Sequence, residues 1–143
     1  MRFEELIKEY ETLKFKIRRT IIKEQEIREL EGFSISARED GMPKSKQNSS
    51  TVEKSALKLA EIFEERKSLE QKLLTAREQL SRSIDYVSSF ITQEVLETKI
   101  FVPNCGWKYV SQKIGLSESH CRHLYREGVQ EIDEKLGEKL YEI

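Results

Sequence analysis

Three observations predict an all-α fold, a long antiparallel helical hairpin of coiled-coil character followed by a C-terminal helix-turn-helix. Charged residues make up 36% of the chain against 37% hydrophobic, with two prolines and six glycines in 143 residues. Two long blocks carry apolar residues in alternating steps of three and four, as a helical seam requires. Near the C-terminus, "KIGLSESHCRHLYRE" interrupts a helical pattern with a glycine, a leucine and a serine. A chain rich in Glu, Lys, Leu and Arg is what long, solvated helices look like, and so few apolar residues leave little to wall off a substrate pocket. The length fits one small domain attached to an elongated element.

Residues 2–31 form the first helical block. Phe3, Leu6, Tyr10, Leu13 and Ile17 make its seam, and Ile7, Phe15, Ile21, Ile22, Ile27 and Leu30 widen the apolar stripe, so this helix is expected to meet more than one neighbour. Its eight basic and eight acidic residues cancel, with i,i+4 pairs such as Glu4–Lys8. Gly32 reads as a stop signal. The stretch 32–50, "GFSISAREDGMPKSKQNSS", reads as a loop containing Gly41 and Pro43, with Ser50 or Thr51 capping the next helix. Residues 51–91 are the second block, with Leu59, Ile62, Leu69, Leu73, Ala76, Leu80, Val87 and Phe90 on one repeat and Arg66 and Ser83 as polar interruptions. Arg66 reads either as a register-setting polar position or as a residue of a solvated edge, and the second is the expectation. Unbroken, each block would span roughly 45–60 Å at about 1.5 Å per residue. Residues 1–91 are therefore assigned as a hairpin that serves oligomerisation, and a homodimer is expected.

From residue 92 the pattern changes. After "TQEVLETKIF" comes a turn cluster at Pro103, Asn104 and Gly106. Trp107, Val110 and Ile114 then share a helix face, Gly115 fits the left-handed position that ends a helix, and Ser117 can cap the next one. Cys121, Leu124 and Val129 would be the inner face of that second helix, with Gly128 allowing a close approach. Helix, short Gly-containing turn, helix is the pattern of a helix-turn-helix, and residues 92–143 are assigned to such a DNA-binding domain.

In this motif the second helix enters the major groove and its N-terminal residues reach base edges. Glu118, Ser119, His120, Arg122, His123 and Arg126 fall on the outer face. Arg can bridge guanine O6 and N7, Ser and His can contact base edges or phosphates, and Glu118 can accept from cytosine N4. Ser117 leaves backbone N–H groups and the positive helix end near phosphates. Lys108, Gln112 and Lys113 on the preceding helix, with Lys99 before it, are placed to hold the backbone without reading sequence. Five basic residues stand against two acidic ones over 99–128, whereas residues 129–143 hold two lysines and five acids. Basic charge is thus concentrated on the proposed reading unit, at a modest level that calls for dimerisation or a partner protein to supply the rest of the affinity.

The segment "WKYVSQKIGLSESHCRHLYREGVQEI" resembles region 4 of bacterial sigma-70-type factors and the related phage transcriptional activators of the ArpU/RinA type. The upstream order is similar to the phage group as well: a long charged helix, a loop with a "MP" step ("GMPKSKQNSS"), and a second long helix leading into the motif. The resemblance implies a phage or mobile-element activator of late or packaging genes, with double-stranded DNA as partner and RNA polymerase as a candidate second one. It places Ser117 as the cap and Ser119, His120, Arg122, His123 and Arg126 as readers. Three features depart from the pattern. Ser111 stands where Ala is usual, Cys121 where Val or Ile is usual, and "VPNCGW" replaces a more acidic or Gly-Lys turn.

Other chemistries fit the residues less well. His120, Cys121 and His123 with Cys105 invite a zinc site, but Cys121 is demanded by the core and the pairs lack ligand spacing. No cofactor is expected. No nucleophile arrangement, phosphate cradle or carboxylate pair on a pocket wall is present, so an enzyme is not expected. Two cysteines make no disulfide framework, the opening apolar residues are spaced rather than run together, and no run approaches the ~20 apolar residues of a membrane span. A cytoplasmic protein is the expectation. The competing function is a protein-interaction module, an antirepressor or an inhibitor of a host or phage protein acting through the hairpin.

Overall fold

The computed structural model describes the backbone of residues 2–38 and 45–141, with side-chain surroundings for 2–30 and 52–137. Among these residues every regular element is an α-helix: α1 (Phe3–Arg38), α2 (Ser45–Ile84), α3 (Phe90–Phe101), α4 (Trp107–Ile114) and α5 (Glu118–Tyr141). The all-α fold expected from the sequence is the fold observed. None of these helices is long and apolar enough to cross a membrane. Two compact units form, one from Glu11–Leu74 and one from Met1–Tyr10 with Thr75–Ile143. The C-terminal unit thus includes the start of α1 and the last turns of α2, where the sequence boundary was drawn at residue 91.

Several expected element limits move. The backbone stays helical through Gly32 to Arg38. An interior glycine costs a helix only about 1 kcal/mol, so Gly32 does not end it. The second long helix begins at Ser45, so Ser50 and Thr51 lie inside it and do not cap it. The Gly41–Pro43 turn falls outside the described residues. At the far end, α2 stops at Ile84 and not at residue 91. Tight turns close it, with the Tyr86 and Val87 N–H groups donating to the Ser83 and Ile84 carbonyls at 3.1 and 3.0 Å. The Ser89 side chain then accepts from the Thr92 N–H and starts α3. Val87 remains buried, but Phe90, expected on the seam, is 73% exposed.

In the unit Glu11–Leu74, Leu13, Thr20, Ile62 and Leu69 are buried, and Ile17, Ile27, Leu59 and Leu73 are half-buried. All but Thr20 are positions that the periodicity placed on the seam or the apolar stripe of the two helices. Arg66 differs from its expected place at a solvated edge. Its Nε donates to Thr20 Oγ1 at 3.2 Å, and its guanidinium donates to the Thr20 carbonyl and to the Glu24 carboxylate. Thr20 Oγ1 itself donates to the Ile17 carbonyl at 2.6 Å. With only six residues between Arg38 and Ser45, a contact of residue 66 with 20 and 24 requires α2 to fold back antiparallel to α1, and it puts one satisfied polar layer inside an apolar seam. Such a layer fixes register, because any shift strands a half-buried charge.

The Arg66 hydrogen bond, opposed in part by desolvation, holds the Glu24 carboxyl below its ordinary value of 4.5. A carboxyl depressed in the folded state adds stability above its unfolded value, and that stability is lost as pH falls through the folded one. Arg66→Ala is therefore expected to lower the melting temperature at pH 7 more than at pH 3, as thermal melts monitored by circular dichroism will show. An equal shift at both values would mean that the pair adds nothing.

The C-terminal unit is built around Phe3, Leu80, Ile84, Val95, Leu96, Val110, Cys121 and Ile132, each almost fully buried. Long-range polar contacts tie its pieces together. Asp133 accepts from the Phe3 N–H at 2.8 Å, so a residue of α5 caps the first turn of α1. Glu131 accepts from both the N–H and the hydroxyl of Ser88, while Lys135 donates to Glu131 and to the Tyr86 carbonyl. These bonds hold the Glu131 carboxyl below its ordinary range, the Lys135 bond first among them. Glu131 and Lys135, which the sequence shows only as part of an acid-rich stretch after residue 128, therefore anchor α5 to the turn after α2. Tyr10 meets Phe101 edge-on, with ring centroids 5.9 Å apart.

Candidate nucleic-acid interface

The break in "KIGLSES" is a turn of three residues between α4 and α5. Gly115 adopts φ 84°, ψ 21°, and its N–H closes α4 by donating to the Ser111 carbonyl at 2.9 Å. That backbone geometry favours glycine. Ser111, where the resembled family carries Ala, donates its hydroxyl to the Leu116 carbonyl at 2.5 Å and so braces the turn. Leu116 packs inward, and Ser117 caps α5 by accepting from the His120 N–H at 3.2 Å. Ser117→Ala is expected to cost about 1 kcal/mol, the usual value of such a cap, as measured by urea unfolding.

The two helices close over Val95, Val110 and Cys121, flanked by Trp107, Ile114, Leu116, Leu124 and Tyr125. The sequence named most of this inner face. Gly128 is in close quarters, since a Cβ there would lie 2.8 Å from both Leu96 Cδ1 and Thr92 Cγ2. Cys121 is fully buried, and burial, with a lesser contribution from the Glu118 charge, pushes its thiol above the ordinary value. Cys105 is half-buried. At pH 8, iodoacetamide is expected to modify Cys105 well before Cys121, and a mass-spectrometric time course separates the two. Among the described residues no group of three or more His, Cys, Asp or Glu side chains is arranged to hold a metal ion.

Ten of the eleven residues expected to face DNA are exposed: Ser117, Glu118, Ser119, His120, Arg122, His123 and Arg126 from the cap and α5, and Lys108, Gln112 and Lys113 from α4. At 100° per residue, Ser119, His123 and Arg126 form the outermost stripe of α5, with Arg122 on the flank toward α4. Some of these residues have partners. His123 Nε2 lies 2.9 Å from Glu127 Oε1, and Arg122 lies 4.0 Å from Glu118 at the limit of an ion pair. Arg126 lines an open groove with Arg2, Tyr125 and Val129.

Lys99, expected to touch the DNA backbone, is occupied elsewhere. Its Nζ donates to the Cys105 carbonyl at 2.6 Å and lies 5.0 Å from the centroid of the Trp107 ring. It bolts the end of α3 to the turn before α4. Nothing in the local sequence signals this, because the partner is a backbone carbonyl six residues on. No family model, curated protein or solved structure matches the chain.

Proposed function

We propose that the chain is a sequence-specific DNA-binding transcriptional regulator, an activator of phage or mobile-element late or packaging genes, with α5 as the reading helix. One observation carries this reading. A left-handed glycine and a serine cap hold two helices over a shared apolar centre, leaving Ser119, His123 and Arg126 on one outward stripe with Arg122 beside it. These are the donor and acceptor types that major-groove edges require, presented from the first three turns of a helix. Lys108 and Lys113 on α4 would hold the phosphates.

Binding to fragments selected from random DNA is the test. Arg122→Ala is expected to lower preference for the selected site by roughly tenfold or more, the usual worth of a bidentate guanine contact. Lys113→Ala should weaken all duplexes alike and reduce the salt slope by about one. Unchanged retardation by both variants would remove α5 as the reading helix.

The hairpin supports a second partner, another copy of the chain. Phe15, Ile22, Phe63 and Leu74 are each more than half exposed on the Glu11–Leu74 unit, a large apolar content for a surface facing only water. A homodimer would double the modest basic charge delivered to DNA. A palindromic selected site would favour the dimer, and an asymmetric one would favour docking beside RNA polymerase. If residues 1–95 alone retain the regulatory activity, the antirepressor or inhibitor reading takes precedence.

A further inference from the structure

Arg122 differs from the other outward residues of α5 in what lies beneath it. Its guanidinium carbon sits 5.8 Å from the centroid of the Trp107 ring, in cation–π position. That ring is fixed from two other elements. Tyr125 of α5 meets it edge-on, with centroids 5.4 Å apart, and Lys99 of α3 lies over it while bonded to the Cys105 carbonyl. Trp107 is also packed against the Val95, Val110 and Cys121 core, so the platform cannot wander.

We infer that Trp107 is a positioning residue for base recognition, holding the Arg122 guanidinium at the α4–α5 junction so that its N–H edge points to guanine. The inference rests on the DNA-reading function proposed above. An arginine on the flank of a helix has several rotatable bonds, and most of its rotamers miss a base edge. The ring attracts the guanidinium through its π face, whereas bidentate contact with guanine O6 and N7 uses the in-plane N–H groups. Ring and base therefore do not compete for Arg122. Glu118 does compete, because a carboxylate takes the same N–H edge, but at 4.0 Å it stands at the outer limit of an ion pair and beyond hydrogen-bond distance. The result is a reader held for use and restrained from swinging to phosphate. Preference for one sequence, more than total affinity, is what this arrangement sets.

Trp107 is the single tryptophan of the chain, so its fluorescence reports the contact without DNA. Arg122→Met in the full-length protein is expected to shift the emission maximum and lifetime, because a cation leaves the ring face. An unchanged spectrum overturns the inference, whatever the protein binds. The second arm compares a selected duplex with a scrambled one at fixed salt. Trp107→Leu is expected to lower the preference about fourfold, the typical worth of an exposed cation–π contact, and Trp107→Phe should fall between it and the wild type. Scrambled-duplex affinity and the salt slope should stay unchanged. Full preference in Trp107→Leu, or a loss shared equally by the scrambled duplex, would leave Trp107 as core packing and overturn the inference. If the wild-type chain distinguishes no duplex from any other, the DNA-reading function falls, and this inference with it. A normal wild-type preference beside an insensitive Trp107→Leu removes the positioning role alone.

Discussion

Leu96→Ala is expected to lower the unfolding free energy by roughly 3 kcal/mol, within the range for emptying a buried leucine site. Leu96 is fully buried in α3, and its Cδ1 lies 2.8 Å from where a Cβ on Gly128 of α5 would stand. The complementary change fills the same space from the other side. Gly128→Ala would gain about 1 kcal/mol of helix propensity, but its new methyl meets Leu96 Cδ1 and Thr92 Cγ2, both on buried side chains. Overpacking of this kind costs roughly 1–3 kcal/mol, and with both neighbours walled in, it outweighs the propensity gain. The double variant is the sharper measurement. Removing the leucine branch makes room for the alanine methyl, so the double should be about 1 kcal/mol more stable than the singles predict by addition. Urea unfolding of the four proteins decides it. Strict additivity would mean that α3 and α5 do not touch at this point in solution.

Phe3→Ala is expected to cost a similar or larger amount, roughly 3–5 kcal/mol, although the residue lies far in sequence from the helix-turn-helix. Phe3 is fully buried in the C-terminal unit, and its N–H is held by Asp133. Asp133→Ala should remove about 1 kcal/mol, as the loss of a helix cap does. A fragment of residues 92–143 lacks Phe3, Tyr10, Leu80, Ile84 and Val87, all buried parts of this unit. It is expected to unfold without a cooperative transition, while the full chain melts sharply. A fragment with a sharp melt would show that the helix-turn-helix carries its own core.

Features whose signals are local were legible in the sequence. Gly115 and Ser117 lie within three or four residues of the groups they bond, and Val110 and Cys121 fall on faces set by the helical period, so the motif and its exposed residues could be read directly. Signals that depend on distant partners were not legible. Arg66 looked like an interruption because Thr20 and Glu24, which satisfy it, are more than forty residues away. Phe90 continued the repeat of α2 by spacing alone, and periodicity does not register the turn at Asp85–Ser89 that ends the helix. The acids after residue 129 looked like a tail because neither Phe3 nor Ser88 is their neighbour in the chain.

The Phe3–Asp133 bond also sets an order in time. A ribosome delivers residue 3 long before residue 133, so the first turn of α1 must wait for 130 further residues before its cap arrives. The C-terminal unit closes over a separation of 130 residues, the kind of non-local contact that slows folding. A nascent polypeptide shorter than this separation therefore lacks a finished C-terminal unit, and any task that depends on that unit begins only once residue 133 has emerged.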